Sequence, residues 1–213
     1  MLPFDELNVL YARDHEYISE PYDQYFGDME ISKEQAEARE KSARELEDVF
    51  LLLLAAILAA YNNGTYDFNE AVSKAQREYT RIATNIGIEV SSFFLMVHIP
   101  SIIAEIVDVT VNDPDKPFNF SIDRAILIAE NEANSLWNDA EFQEAIESGY
   151  TEKTWHTMRD KRVRDTHRDV EGVTVPIMEP FEVGDSLMMY PRDDSLGAGM
   201  EEIANCRCSV SYS

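Results

Sequence analysis

The sequence predicts an α+β fold, in which an N-terminal all-helical bundle is followed by a small α+β module with short antiparallel strands. Long segments between residues 32 and 147 are rich in strong helix formers and are separated by short breaks containing Asn, Gly or Pro. After Gly149, turn residues come every few positions and apolar side chains alternate with polar ones. We therefore predict an acidic helical domain at 1–149 and an α+β domain at 150–213.

Four helices are predicted in the first domain, at 32–61, 68–86, 89–109 and 121–147. The first begins at Ser32, which forms a weak capping box with Gln35, and it ends before an Asn-Asn-Gly stop. Pro100 is expected to bend the third helix, because proline lacks the N–H that the helical ladder needs. A loop with two prolines, at 112–117, separates the third helix from the fourth.

Residues 1–31 are acidic and aromatic, and we expect a short helix or an extended arm there. Large aromatic side chains are usually buried, so these should pack onto the body of the protein. They are Tyr11, Tyr17, Tyr22, Tyr25 and Phe26.

Two strands are predicted in the second domain. Val173, Val175 and Ile177 alternate with polar or turn residues, and so do Cys206, Cys208, Val210 and Tyr212. Residues two apart in a strand share a face, so each set should line a buried face. Glu171-Gly172 supplies a turn before the first of these strands.

The charge distribution narrows the function. The 213 residues carry a formal net charge of −23, and residues 151–213 hold only 8 basic and 12 acidic residues of the total. Most of the acidic excess therefore lies in the helical part. Such an excess opposes sequence-independent binding to nucleic acid and to anionic membrane surfaces. The start of the chain lacks the pattern of a secretory signal, which predicts the cytoplasm of the producing cell as its location.

Several short motifs appear in order from the fourth helix onward. They are Ala-Glu-Asn-Glu-Ala-Asn at 129–134, then Trp155, Asp160, Arg162, Arg164, His167, Gly172, Pro180-Phe181, Tyr190-Pro191 and Asn205-Cys206-Arg207-Cys208. This combination resembles the C-terminal domain of the phage Mu F-like minor head proteins, over about residues 125–213. We take these residues as the structural motif of that family.

The resemblance implies a minor capsid protein of a tailed phage. Its partners would be the portal protein and other capsid or scaffolding proteins, with self-association allowed and packaged DNA contacted only indirectly. Its location would be the virion, in the capsid interior or at the portal vertex. It would assist genome packaging or ejection. The resemblance implies no catalytic residue, no metal or cofactor, and no membrane among its partners.

The segment after Trp155 carries the most chemistry. Thr157 and Asp160 form a capping pattern that predicts a helix starting near Met158. On that helix Asp160, Arg164 and His167 would share one face, with an Asp160–Arg164 ion pair and a packed His167. The alternative is a small metal-independent nuclease or toxin-like module in which Arg164 holds phosphate and His167 does acid–base work. We favour the structural interpretation, because charged helix faces usually carry no chemistry.

The same segment is locally basic. Five basic and two acidic residues lie between Arg159 and Arg168. We predict a docking surface formed by Arg159, Lys161, Arg162 and Arg168. The portal protein, the helical domain of a neighbouring copy or DNA would fit it, and the acidic chain favours a protein. A further alternative is a general interaction protein whose acidic helices bind a basic partner.

Cys206, Cys208 and His167 raise the question of zinc. Structural zinc usually takes four ligands with a C-x₂₋₄-C spacing, and only His156 remains as a fourth ligand nearby. A Cys-x-Cys pair is also poorly placed for a disulfide. We therefore predict that both cysteines are buried, reduced and metal-free core residues. Arg207 should face the opposite way, towards an acidic partner or the rim of a pocket.

Overall fold

The structure is a computed structural model that describes residues 22–65, 67–89, 91–112 and 117–213. The predictions for Tyr11, Tyr17 and most of the 112–117 loop lie outside these ranges. Within them a helical region precedes a small module with short antiparallel strands, so the predicted α+β class is confirmed. No helix in the described ranges is long and apolar enough to cross a membrane.

In the described part of the first region, five α-helices are present: α1 Tyr22–Gly27, α2 Lys33–Asn63, α3 Phe68–Ile86, α4 Ile99–Asn112 and α5 Ile122–Glu147. Their starts follow from side-chain capping. Ser32 and Gln35 exchange hydrogen bonds of 2.8 and 3.2 Å in the predicted capping box. Asp67 accepts from the N–H of Glu70, and Ser121 accepts from the N–H of Arg124. The predicted bounds of α2, α3 and α5 are confirmed to within two residues.

The third predicted helix differs from its prediction. A π-helical turn, Phe94–His98, precedes α4, and the N–H of Ile99 bonds to the carbonyl of Phe94 five residues earlier. Pro100 has no N–H to donate and its ring crowds the carbonyl four residues before it. Widening of the preceding turn accommodates this proline, and α4 then continues through it.

Small residues bring α5 close to α2. Ala125, Ala129 and Ala133 lie one turn apart on α5 and are fully buried, against a core that includes Leu46 and Phe50 of α2. Alanines at this spacing let two helix backbones approach closely. Tyr22, Tyr25 and Phe26 of α1 are buried in the same core, as predicted for these aromatics.

The second region contains five short strands and two short helices: β1 Glu152–His156, α6 Asp165–Asp169, β2 Thr174–Pro176, β3 Phe181–Val183, β4 Ser186–Met188, α7 Met200–Ile203 and β5 Ser209–Tyr212. β1 lies between β2 and β5 in an antiparallel sheet, and β3 pairs with β4. Both predicted strands exist but are shorter than predicted. Cys206 and Cys208 precede β5 and are not part of it.

The module has its own core around the fully buried Trp155, and α5 contributes to it. Phe142 and Ala145, near the end of α5, pack with Phe181 and Val183 of β3. One helix therefore serves two cores. The change from helices to strands falls near Gly149, whose φ of 78° is left-handed and favours glycine. Separate folding of 1–149 and 150–213 stays a prediction.

Candidate functional site

The segment 157–164 is not helical, so the predicted helix from Met158 is wrong. Asp160 instead accepts from the N–H of Arg162 at 2.9 Å, and Arg159 has a left-handed φ of 53°. Such local side-chain bonds compete with helix formation. The helix begins only at Asp165, so Asp160, Arg164 and His167 do not share a helix face.

Asp160 pairs with Arg207 rather than with Arg164. The second carboxylate oxygen of Asp160 lies 2.6 Å from Nη2 of Arg207, a side chain that is only 6% exposed. Burial raises the pKa of Asp160, but its bonds to Arg207 and to the N–H of Arg162 outweigh this and lower it. The pair ties the 157–164 segment to the Asn-Cys-Arg-Cys motif. The predicted acidic partner of Arg207 is thus identified.

His167 forms the centre of a buried cluster with Cys206 and Cys208. Its Nδ1 lies 3.4 Å from Sγ of Cys208 and 3.6 Å from Sγ of Cys206. Its Nε2 lies 3.0 Å from the Glu202 carboxylate of α7, which also accepts a 2.8 Å bond from Thr166. Both cysteines are free and buried, as predicted for their burial.

The groups of this cluster shift the pKa values of one another. Burial lowers the pKa of His167, but Cys206 and Glu202 raise it by more. Burial likewise raises the pKa of Cys206, yet its bonds from Cys208 and His167 hold it well below the usual value. Cys206 and His167 thus lie close enough for each to favour the charged form of the other.

Trp155 closes this cluster. Its ring packs edge-to-face on His167 at 5.7 Å and on Phe181 at 5.2 Å. Its indole N–H is buried without an oxygen or nitrogen acceptor in the described ranges. Trp155 is thus a core residue of the module, which is consistent with its place in the motif.

Arg164 is committed to the protein backbone. Its Nη2 donates to the carbonyl of Ala204, which precedes the Asn-Cys-Arg-Cys motif. The His167 side chain is only 1% exposed and both ring nitrogens have partners. A nuclease needs its phosphate-binding arginine and its acid–base histidine open to substrate. The alternative use of Arg164 and His167 therefore gains no support from the geometry.

The predicted docking residues lie on the surface, with part of their charge already matched. Arg159 pairs with Glu171 at 2.8 Å and with Glu30 at 3.2 Å, and Arg168 pairs with Asp165. Lys161 and Arg162 are also exposed. The basic surface is therefore smaller in net charge than the sequence suggests. Lys161 is its most direct probe.

Arg192 joins the module to α5, and the motif search did not identify it. It is 3% exposed, and its Nε donates to Ser135 at 2.7 Å. Its Nη1 donates to Asn131 at 2.7 Å and to the carbonyl of Ile203 at 2.8 Å, and Nη2 lies 3.6 Å from Glu132. One guanidinium therefore binds α5 and α7 together. We call this buried junction between α5 and the module the polar seam.

Two motif residues belong to the polar seam, and a third, Asn205, lies at its exposed edge. The hydroxyl of Tyr190 donates to Asp139 at 2.9 Å, and the carbonyl of Pro191 accepts from Asn138 at 2.9 Å. Asn205, whose left-handed φ is 55°, donates its N–H to Asn131 and accepts from the same side chain. Asn tolerates this conformation better than most residues. These hydrogen bonds give the three positions a structural role.

Glu132 of α5 is a fully buried acid of the seam. It is 1% exposed and accepts from the hydroxyl of Tyr79 at 2.7 Å and faces Nε2 of His98 at 3.0 Å. Burial lowers the pKa of His98, but Glu132 and Asp194 raise it by more, so that the pKa lies at about 9. The histidine is therefore charged at neutral pH and compensates Glu132. The sequence signal was the dense run of polar side chains at 130–139, but their partners lie far along the chain.

Gly172 and Lys153 also support the strand module. Gly172 has a left-handed φ of 72°, and its N–H bonds to the carbonyl of Trp155 at 2.8 Å, in the predicted turn. Lys153 of β1 is fully buried, donates to the carbonyl of Met189 at 2.7 Å and lies over the Phe142 ring. Burial lowers the pKa of Lys153 to about 8.

The motif residues hold the strand module together and fix it to α5, which is the part such residues play in a structural protein. A family model described as phage Mu protein F like protein matches residues 101–211, which is more than half of the chain. The chain therefore belongs to the phage Mu protein F-like family, a family of phage head morphogenesis proteins. No curated protein and no solved structure matches the chain.

The match also extends the resemblance seen in the sequence. It begins at residue 101, inside α4, whereas the quoted motifs begin on α5. The family region thus includes α5, which is consistent with a seam that depends on this helix.

Proposed function

We propose that the chain is a minor capsid protein of a tailed phage that associates with the portal vertex during prohead assembly and then assists genome packaging or ejection. The observation that carries the proposal is the family match at 101–211, which covers α5, the polar seam and nearly the whole strand module. The partners in this proposal are the portal protein and other capsid or scaffolding proteins. The location is the virion.

Charge supports protein docking over DNA binding. The formal net charge of −23 opposes contact with phosphates, so the chain can lie near packaged DNA without being held by it. The exposed surface around Lys161 is a basic area on an acidic molecule. Such an area is suited to an acidic patch on a protein partner, where it would affect orientation and association rate. We therefore assign the portal contact to this face.

The docking face can be tested with a charge reversal. Lys161→Glu should weaken capture of the chain by purified portal rings from the same phage, measured by co-sedimentation at low and moderate salt. Lys74→Glu on α3 is the matched control, because Lys74 is also exposed and the charge change is identical. An exposed pair of charges is worth about 1 kcal/mol or less, which corresponds to a loss of affinity of up to about fivefold.

The outcomes separate the face from the partner. Equal binding of both variants and the wild type would refute docking through Lys161 and leave the portal partner in place. Failure of the wild-type chain to bind portal rings at all, under conditions in which proheads assemble, would refute the proposed partner.

A further inference from the structure

The cluster of His167, Cys206 and Cys208 has the arrangement of a metal site. The three ligand atoms, Nδ1 and two Sγ, lie within 4.8 Å of one another and all three residues are buried. We propose that this cluster binds one Zn²⁺ through these three side chains, with a small ligand such as water at the fourth position. Zn²⁺ would then hold α6 to the Asn-Cys-Arg-Cys motif.

The distances agree with tetrahedral zinc. Bonds of about 2.3 Å to sulfur and about 2.0 Å to nitrogen, at about 109°, place neighbouring ligand atoms about 3.5 Å apart. The two measured N–S distances are 3.4 and 3.6 Å. An S–H···N hydrogen bond has a similar length, so distance by itself does not decide between the two.

The orientation of His167 supports a metal. Without a metal, Nδ1 can meet the sulfurs as a donor in the imidazolium or as an acceptor in the neutral ring. The opposite nitrogen, Nε2, lies 3.0 Å from Glu202. With a proton held on Nε2 by this carboxylate, Nδ1 is left with its lone pair on the side where both sulfurs lie, as a metal ligand requires. A histidine that binds zinc through one nitrogen and a carboxylate through the other is a recurring arrangement.

The support for Glu202 extends one residue further. Its carboxylate accepts a 2.8 Å bond from the hydroxyl of Thr166, the neighbour of His167 on α6. The imidazole is therefore oriented by a carboxylate that is itself oriented. Two cysteines serving only as small apolar core residues do not require this arrangement.

Charge and space are also compatible with zinc. Binding would release two protons from the thiols, and the two thiolates would cancel the charge of Zn²⁺, so a neutral buried site results. A cavity of about 10 Å³ has His167, Cys206 and Cys208 among its lining residues. This volume is about that needed for one water molecule. The Cys-x-Cys spacing argued against zinc in the sequence, but the fold brings both sulfurs to one side of His167.

A second group of potential ligands is a weaker site. Glu30, His156 and Glu171 also lie together, but they are half-buried or exposed. The guanidinium of Arg159 already lies 3.2 Å from Glu30 and 2.8 Å from Glu171. A cation in place competes with a metal there. His156 is therefore a matched control for His167 and not the fourth ligand of the buried cluster.

Elemental analysis tests the proposal. The full chain, purified under reducing conditions without chelator and incubated with Zn²⁺ before removal of excess metal, should retain close to one zinc. Cys208→Ser and His167→Gln should lose most of it, whereas His156→Gln should keep it. Retention of zinc by both cluster variants, or its loss only in His156→Gln, would overturn the proposal.

Co²⁺ gives a test that does not depend on variant folding. Added to the metal-free wild-type chain, Co²⁺ should produce thiolate-to-cobalt charge transfer and the intense visible bands of tetrahedral coordination. Zn²⁺ should displace these bands and protect both cysteines from a thiol reagent. A wild-type chain that binds neither ion, with both thiols equally reactive in the presence and absence of Zn²⁺, would show that the cluster is a hydrogen-bonded core and no metal site.

Discussion

Removal of Arg192 should destabilise the whole chain, because this one side chain crosses the polar seam. Arg192→Met keeps an unbranched side chain of similar length and removes every donor. The variant loses bonds of 2.7 Å to Ser135, 2.7 Å to Asn131 and 2.8 Å to the carbonyl of Ile203. It also removes a positive charge that lies 3.6 Å from the buried Glu132.

The size of this destabilisation depends on the hydrogen bonds that the partners of Arg192 retain. Breaking a buried charged contact typically costs about 3–5 kcal/mol. Here Glu132 keeps Tyr79 and His98, and Asn131 still accepts from the N–H of Asn205. Few groups are left without a partner, so we expect the lower end, about 3 kcal/mol. Arg192→Lys, which keeps the charge but not the three-way donor geometry, should fall between the wild type and Arg192→Met.

Equilibrium urea unfolding measures this loss. With a urea slope of about 3 kcal/mol/M, a loss of about 3 kcal/mol moves the midpoint by about 1 M. Arg44→Met is the matched control, because Arg44 pairs with Glu40 on the surface of α2 and its side chain is 60% exposed. Such a pair contributes about 0–1 kcal/mol. If Arg192→Met cost no more stability than Arg44→Met, the conclusion that the polar seam stabilises the whole chain would be wrong.

Two further predictions concern the same seam. The pKa of His98 is raised in the folded chain, from 6.5 to about 9, so the folded state binds more protons in this window. The charged His98 therefore stabilises the fold fully below about pH 6.5, and this contribution is lost as the pH rises through 9. Over that range the unfolding free energy of the wild type should fall relative to that of His98→Gln by up to roughly 3 kcal/mol. Parallel pH profiles of the two proteins would contradict this. Tyr190→Phe removes a donor to Asp139, which keeps Ser91 as a partner, and should cost about 1–2 kcal/mol in urea unfolding. Tyr150→Phe, with a side chain 47% exposed, should change stability by less than about 0.5 kcal/mol, and an equal cost for both variants would argue against the bond.

Local signals made the helices predictable. The capping box of Ser32 with Gln35 and the cap at Ser121 act within three residues, so the bounds of α2 and α5 could be read from neighbouring residues. The left-handed Gly87 ends α3 in the same way. The family motif also identified the module. Two of its residues, Gly172 and Asn205, occupy left-handed backbone positions that few other residues tolerate.

Long-range partners made the site less predictable. Asp160 had a helical neighbour at Arg164 by spacing, but its partner in the fold is Arg207, which is 47 residues away. Arg39 of α2 illustrates the same limit. It is fully buried and binds Asn138 and Glu141 of α5 at 3.0 Å, and these partners lie about 100 residues further along the chain. Helical periodicity shows where a face lies and not which distant element covers it.

For His167, the sequence indicated the packing of the side chain but not its partners. Its role as a packed side chain within the module agrees with the structural interpretation of the motif, since it is 1% exposed. Its helix, however, contains only Asp165–Asp169, and its partners come from α7 and from the residues before β5. Only the tertiary fold brings those elements together.

The composition of proheads tests the central claim most directly. Quantitative mass spectrometry would compare proheads assembled from the phage's own proteins with and without the portal protein. The account predicts that the chain is present in a fixed ratio to portal in complete proheads and is strongly depleted when portal is omitted. Absence of the chain from complete proheads would contradict a capsid role, and equal incorporation without portal would contradict its placement at the portal vertex.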